Sequence, residues 1–169
     1  MKLAILSDIH DHVWNLNKAL AMPALQNTDA LLFCGDLCAP FIIHLLGQGY
    51  PNPIHMVLGN NDGDVNAIIN NLNRYPHMHL HGEYFRGEFN GKTVAMSHYP
   101  DKAQKLAGLG IYDIVCYGHN HTLKEEKTGA TLLLNPGPIM GFQGGSLEEV
   151  PATFMVIGTS EGHSTVHEL

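Results

Sequence analysis

Residues 3–10 read Leu3-Ala4-Ile5-Leu6-Ser7-Asp8-Ile9-His10, four apolar residues running straight into a carboxylate and an imidazole two positions apart. A short unbroken apolar run is the mark of a strand buried on both faces, and such strands belong to sheets covered by helices. The arrangement recurs along the chain. Residues 30–34 lead into Gly35-Asp36, 54–58 into Gly59-Asn60-Asn61-Asp62, 94–96 into Ser97-His98, and 114–117 into Gly118-His119-Asn120-His121. Five segments thus place Asp, His or Asn just past an expected strand. In open α/β sheets that edge is where sites collect.

Between these strands the pattern is helical at 14–21, stopped by Pro23, at 41–46, and at 64–72 with Asp64 near its start. After Pro76 the chain turns to strands at 78–81, 84–89 and 92–97, the last two joined by Asn90-Gly91, a favoured hairpin turn. A helix is expected at 102–109, a hairpin at 123–127 and 130–134 through Thr128-Gly129, and closing strands at 154–158 and 164–167. A βαβαβα opening followed by hairpins predicts mixed sheets covered by helices, an α/β architecture. No repeat or linker-like shift interrupts it, so residues 1–169 are expected to form one domain.

Composition narrows the function. At 44% hydrophobic and 15% charged residues the chain is globular rather than disordered. Its formal net charge is −7, and its nine Lys and Arg are scattered singly, which argues against a nucleic-acid polymer as partner. Three cysteines cannot close into pairs and suit a reducing cytoplasm. The run 3–6 is too short for a signal-peptide core, and nothing approaches the ~20 apolar residues of a membrane span. Twelve histidines exceed what an ordinary domain needs and direct attention to metal chemistry.

The spacings suit metal ligation. Asp8 and His10, like His119 and His121, are two apart, so in extended backbone each pair projects to one side. Gly35, Gly59 and Gly118 each precede a polar group and permit a tight turn. The mixture of carboxylate and imidazole suits Mn, Fe, Zn or Ni and is too nitrogen-rich for a dedicated Ca or Mg cage. Seven such ligands suit two ions that share a carboxylate.

Taken together, Asp8-x-His10, Gly35-Asp36, Gly59-Asn60-x-Asp62, His98 and Gly118-His119-x-His121 resemble the calcineurin-like metallophosphoesterases. The short length and the later Asn135-Pro136-Gly137 are similar to the small phosphodiesterase branch of bacteria and archaea. The resemblance implies a four-layer αββα sandwich of two mixed sheets flanked by helices. It also implies Asp8, His10 and His121 at one metal, Asn60, His98 and His119 at a second, and Asp36 bridging. The implied reaction is hydrolysis of a small phosphate ester, foremost a diester, by a bridging hydroxide between two divalent ions, Mn first among them. Homo-oligomerisation is compatible with that reading.

Three positions depart from the family pattern. Asn61 stands where many members carry a general-acid His, and a neutral amide releases no proton near pH 7. Asp62 is then expected to orient water or a neighbouring side chain. His98 is followed by Tyr99-Pro100 in place of the common Gly, and Pro138 replaces a frequent Ser.

Plainer readings stand beside these. Asp8, Asp36 and Asn60 taken singly could be caps or turn residues. His77, His79 and His81 alternate and could share a strand face, where solvent exposure is the expectation because no carboxylate lies nearby. Asp11 and His12 border the first motif without a defined role. A retromer subunit shares the family fold, so a non-catalytic scaffold is the rival function. The same site could also serve a phosphomonoesterase or nuclease.

Overall fold

In the computed structural model, which describes residues 1–146 and 148–169, alternation within each apolar run decides which layer a residue joins. The elements are β1 (Lys2–Leu6), α1 (Val13–Ala21), α2 (Pro23–Gln26), β2 (Ala30–Phe33), α3 (Ile42–Gly49), β3 (Ile54–Met56), α4 (Val65–Leu72), β4 (Met78–Leu80), β5 (Phe85–Phe89) and β6 (Lys92–Met96). They continue with α5 (Pro100–Gly108), β7 (Ile114–Cys116), β8 (Lys124–Thr128), β9 (Thr131–Asn135), β10 (Thr153–Gly158) and β11 (Ser164–Glu168). One sheet has the order β11-β10-β1-β2-β3-β4 and the other β5-β6-β7-β9-β8. Both mix parallel and antiparallel neighbours, with β1 to β4 parallel in the first and β6, β7 and β9 parallel in the second.

Period two sorts the strands between three cores. Leu3, Ile5 and Leu32 face Val94, Met96 and Leu134 between the sheets. The alternate residues Leu6, Leu31 and Phe33 face Leu16, Leu46 and Ile68 of α1, α3 and α4. On the far side Ala95, Val115 and Leu133 meet Ala103 and Ala107 of α5. The result is the expected αββα sandwich, and it explains why the central strands read as unbroken apolar runs.

The differences from expectation are local. Pro23 ends α1 but also opens the short α2, since its missing N–H is no loss at a first helical turn. α5 begins at Pro100 for the same reason. Asp64 caps α4 by accepting a hydrogen bond from Ala67 N at 3.1 Å. His77 leaves the set of three alternating histidines, because its ring bonds the Tyr50 carbonyl at 3.0 Å. His79 and His81 gather instead around His55, whose Nδ1 lies 3.0 Å from His81 Nε2 with ring centroids 5.3 Å apart. Among the described residues these three rings form no group whose ligand atoms all lie within 4.8 Å of one another.

Candidate metal centre

Five loops at the carboxyl ends of β1, β2, β3, β6 and β7 converge at one edge of the sandwich. Asp8 and Asp36 are buried, as are His98 and His121, while His119 and Asn60 lie at the exposed rim. In one cluster His10 Nε2 is 3.2 Å from His121 Nε2, and His121 Nε2 is 3.5 Å from Asp8 Oδ1. In a second, His119 Nδ1 is 2.8 Å from Asn60 Oδ1 and 3.2 Å from His98 Nε2. Asp36 Oδ2 lies between them, 3.4 Å from both His10 Nε2 and His98 Nε2. All seven residues expected as ligands are therefore brought together in two adjoining groups.

The donor set fits divalent ions. Within each cluster the paired rings stand 5.0 Å apart at their centroids with nitrogens 3.2 Å apart, so they tilt toward a common point. Ligand atoms about 3 Å apart are what bonds of ~2.0–2.1 Å to one ion require. Backbone carbonyls fix the tautomers: His98 Nδ1 meets Cys34 O at 2.8 Å and His121 Nδ1 meets Phe142 O at 2.6 Å. A proton held at Nδ1 leaves Nε2 free to ligate.

Electrostatics point the same way. Burial alone would push the Asp36 carboxyl up, but hydrogen bonds with His98 and Asn61 outweigh it and hold the group well below the usual carboxylate range. Burial opposes protonation of His98 and of His121, yet Asp36 raises the first and Asp8 the second. For His10 burial wins, and its imidazole is pushed down despite Asp36 and Asp8.

The neighbouring side chains leave no room for larger residues at two glycines. A Cβ at Gly59 would come within 2.0 Å of Asp36 Oδ1, and one at Gly118 within 1.8 Å of Ser7 Oγ. These two glycines are needed for close approach; of the three flagged in sequence, Gly35 alone adopts positive φ, at +98°.

Asn61 and Asp62 face inward to the loops. The Asn61 backbone N–H donates to Asp36 Oδ1 and its side-chain amide to Asp36 Oδ2, each at 2.8 Å. Asp62 accepts from Gly59 N at 2.7 Å, Asp36 N at 3.1 Å and Cys38 N at 3.0 Å. Its carboxylate ties the second and third loops together, so the neighbour it orients is the Asp36 backbone. Asp11 bonds Ala39 N at 2.8 Å, and His12 caps α1 through Asn15 N at 3.2 Å.

Sequence reasoning missed Asn120 and gave no role to Asn135. The Asn135 amide donates to Gly118 O at 3.2 Å and Asn120 Oδ1 at 2.7 Å, and so braces the His119–His121 loop. The only signal was Asn135-Pro136-Gly137. The Cys34 and Phe142 carbonyls carried no signal, because a backbone group is the same in every residue.

A double-sheet sandwich that gathers carboxylates and imidazoles at one strand edge offers a divalent ion a set of ligands. The chain belongs to the calcineurin-like phosphoesterase superfamily, whose domain model matches residues 1–162. It is similar to a phosphodiesterase of Methanocaldococcus jannaschii, 29% identical over 144 residues that span 84% of this chain and 86% of the relative. A solved archaeal phosphodiesterase superposes with TM-score 0.88 at 26% identity, covering 100% of both chains. Vps29 of Entamoeba histolytica complexed with Zn²⁺ shares the fold, with TM-score 0.69 at 17% identity over 100% of this chain and 98% of that one. The protein is thus a hydrolase acting on phosphoric esters.

Proposed function

We propose that this chain is a cytoplasmic single-domain phosphodiesterase that hydrolyses a small diester with two divalent ions, Mn foremost. The observation that carries the reading is the Asp36 carboxylate, whose Oδ2 stands 3.4 Å from an imidazole of each cluster. One anion so placed serves two ions. Asp8, His10 and His121 would hold the first ion, and Asn60, His98 and His119 the second. Three free cysteines suit a reducing compartment.

The chemistry that bound ions supply is polarisation of the phosphoryl group and acidification of the attacking water. In the hydrolysis a P–O bond forms to water as the P–O bond to the leaving alkoxide breaks. Asn61 takes no part in proton transfer; its backbone N–H and its side-chain amide each donate to Asp36, which it positions. Asp62 positions the same carboxylate from behind. A scaffold that only binds partners has no physical need for His98 and His121 with their tautomers fixed toward the buried carboxylates Asp36 and Asp8, which favours turnover.

Dialysis against a chelator should abolish hydrolysis of bis(p-nitrophenyl) phosphate, and added Mn²⁺ should restore it. Undiminished turnover in verified metal-free buffer would contradict the reading.

A further inference from the structure

The end of β6 separates two environments. Alternation turns Met96 into the core between the sheets, while Ala95 and Ser97 fall on the side of α5. His98, the next residue, enters the metal centre. α5 packs over β7, β9 and β8, and beside it lies a pocket of about 330 Å³. Tyr84, Leu106 and Leu109 supply its apolar surface, and Glu83, Lys102, Lys105 and Ser97 complete the lining. This size and mixture match small-molecule sites, which combine apolar walls with few polar groups.

Two observations point to a ligand there. Ser97 is 1% exposed, yet its hydroxyl has no hydrogen-bond partner among the described residues. Buried polar groups are nearly always paired, so an unmet hydroxyl in a pocket lining is a group a ligand can satisfy. The pocket also adjoins the centre through Tyr99. That ring lies 5.2 Å from the His98 ring and 5.3 Å from the His119 ring, and the ammonium of Lys102, a lining residue, sits 4.7 Å from its centroid. Lys102 is held by Glu83 at 2.7 Å and Lys105 faces Asp101 at 3.7 Å, so each lysine has an acidic partner. An uncharged flat group is therefore favoured over an anion.

We propose that this pocket holds the non-leaving substituent of the diester, a flat aromatic group bearing one hydrogen-bonding atom that pairs with Ser97. The proposal rests on the phosphodiesterase reading and names the substrate class: diesters with one aromatic arm reaching across Tyr99.

The test uses two esters with the same p-nitrophenyl leaving group, one carrying a methyl and one a 3-hydroxyphenyl substituent, with saturating Mn²⁺. The wild type should show a KM at least tenfold lower for the aryl ester. Leu106→Trp fills the pocket and should erase that preference by raising the aryl ester's KM toward that of the methyl ester. Leu109→Asp, at a 60% exposed position that folding tolerates, should erase most of it. Ser97→Ala should reduce the preference for 3-hydroxyphenyl over phenyl. Turnover of both esters with equal KM, or a preference untouched by Leu106→Trp and Leu109→Asp, would overturn the proposal alone. Absence of metal-dependent turnover of either ester would overturn the phosphodiesterase reading, and the proposal with it.

Discussion

Asp8, His10, Asp36, His119 and His121 all sit at positive φ, between 44° and 75°. For residues with a Cβ this region costs of order 1–3 kcal/mol each, and it persists only where the surroundings enforce it. The enforcement is visible: His119 N donates to both oxygens of Asp8 at 3.2 and 3.1 Å. The strain aims the side chains, and its cost shows in stability. His119→Gly and His119→Ala remove the same ring, but glycine accepts a φ of 75° and alanine does not. In chelator the glycine variant should be the more stable by about 1 kcal/mol in urea unfolding, after its looser denatured chain offsets part of the gain. Equal stabilities would mean that the His119 backbone is unstrained. Which residues gather at this edge was legible in the sequence, because the motifs and the family they resemble name them. Their aim was not, since it comes from backbone dihedrals and the carbonyls of Cys34 and Phe142.

The strands were the most legible elements, because burial on both faces writes an apolar run that no turn residue interrupts. Edge strands were harder. β4 has three residues, and period two alone could not separate His77 from His79 and His81. His55 joined that group only through register, as the direct neighbour of His79. Burial, then the neighbouring His81 and His79, lowers its imidazole from 6.5 to about 4. The denatured chain therefore takes up a proton first. Stability contributed by neutral His55 is present above about 6.5 and is lost as pH falls toward 4. Partial exposure and solvent screening reduce the effect. His55→Phe keeps the stacking on Phe85, seen at 4.7 Å, and removes the titration. Its Tm should fall less than that of the wild type between pH 7 and pH 4.5, both measured in chelator. Parallel falls would show that His55 does not carry the acid sensitivity.

At the scale of the molecule, the site exists because two sheets present their strand ends at one edge. The first sheet supplies Asp8, His10, Asp36 and Asn60, and the second supplies His98, His119 and His121. The Cys34 carbonyl on His98 is the seam, a bond across 64 positions of sequence. The α/β class with mixed sheets followed from the pattern of runs, and the αββα layering from the family resemblance. Strand order and the meeting of the two half-sites were not readable from local spacing, because non-local pairing leaves no local signal. Burying Asp8 and Asp36 together in a chain of net charge −7 is sustainable when positive charge joins them, and Asp36 is the anion that both clusters share. The most direct measurement is metal content by elemental analysis after dialysis of metal-free protein against Mn²⁺. Wild type and the control His12→Ala should each hold about two ions per chain, and Asp36→Asn fewer than about one. A single ion in the wild type, or two retained by Asp36→Asn, would contradict a shared carboxylate.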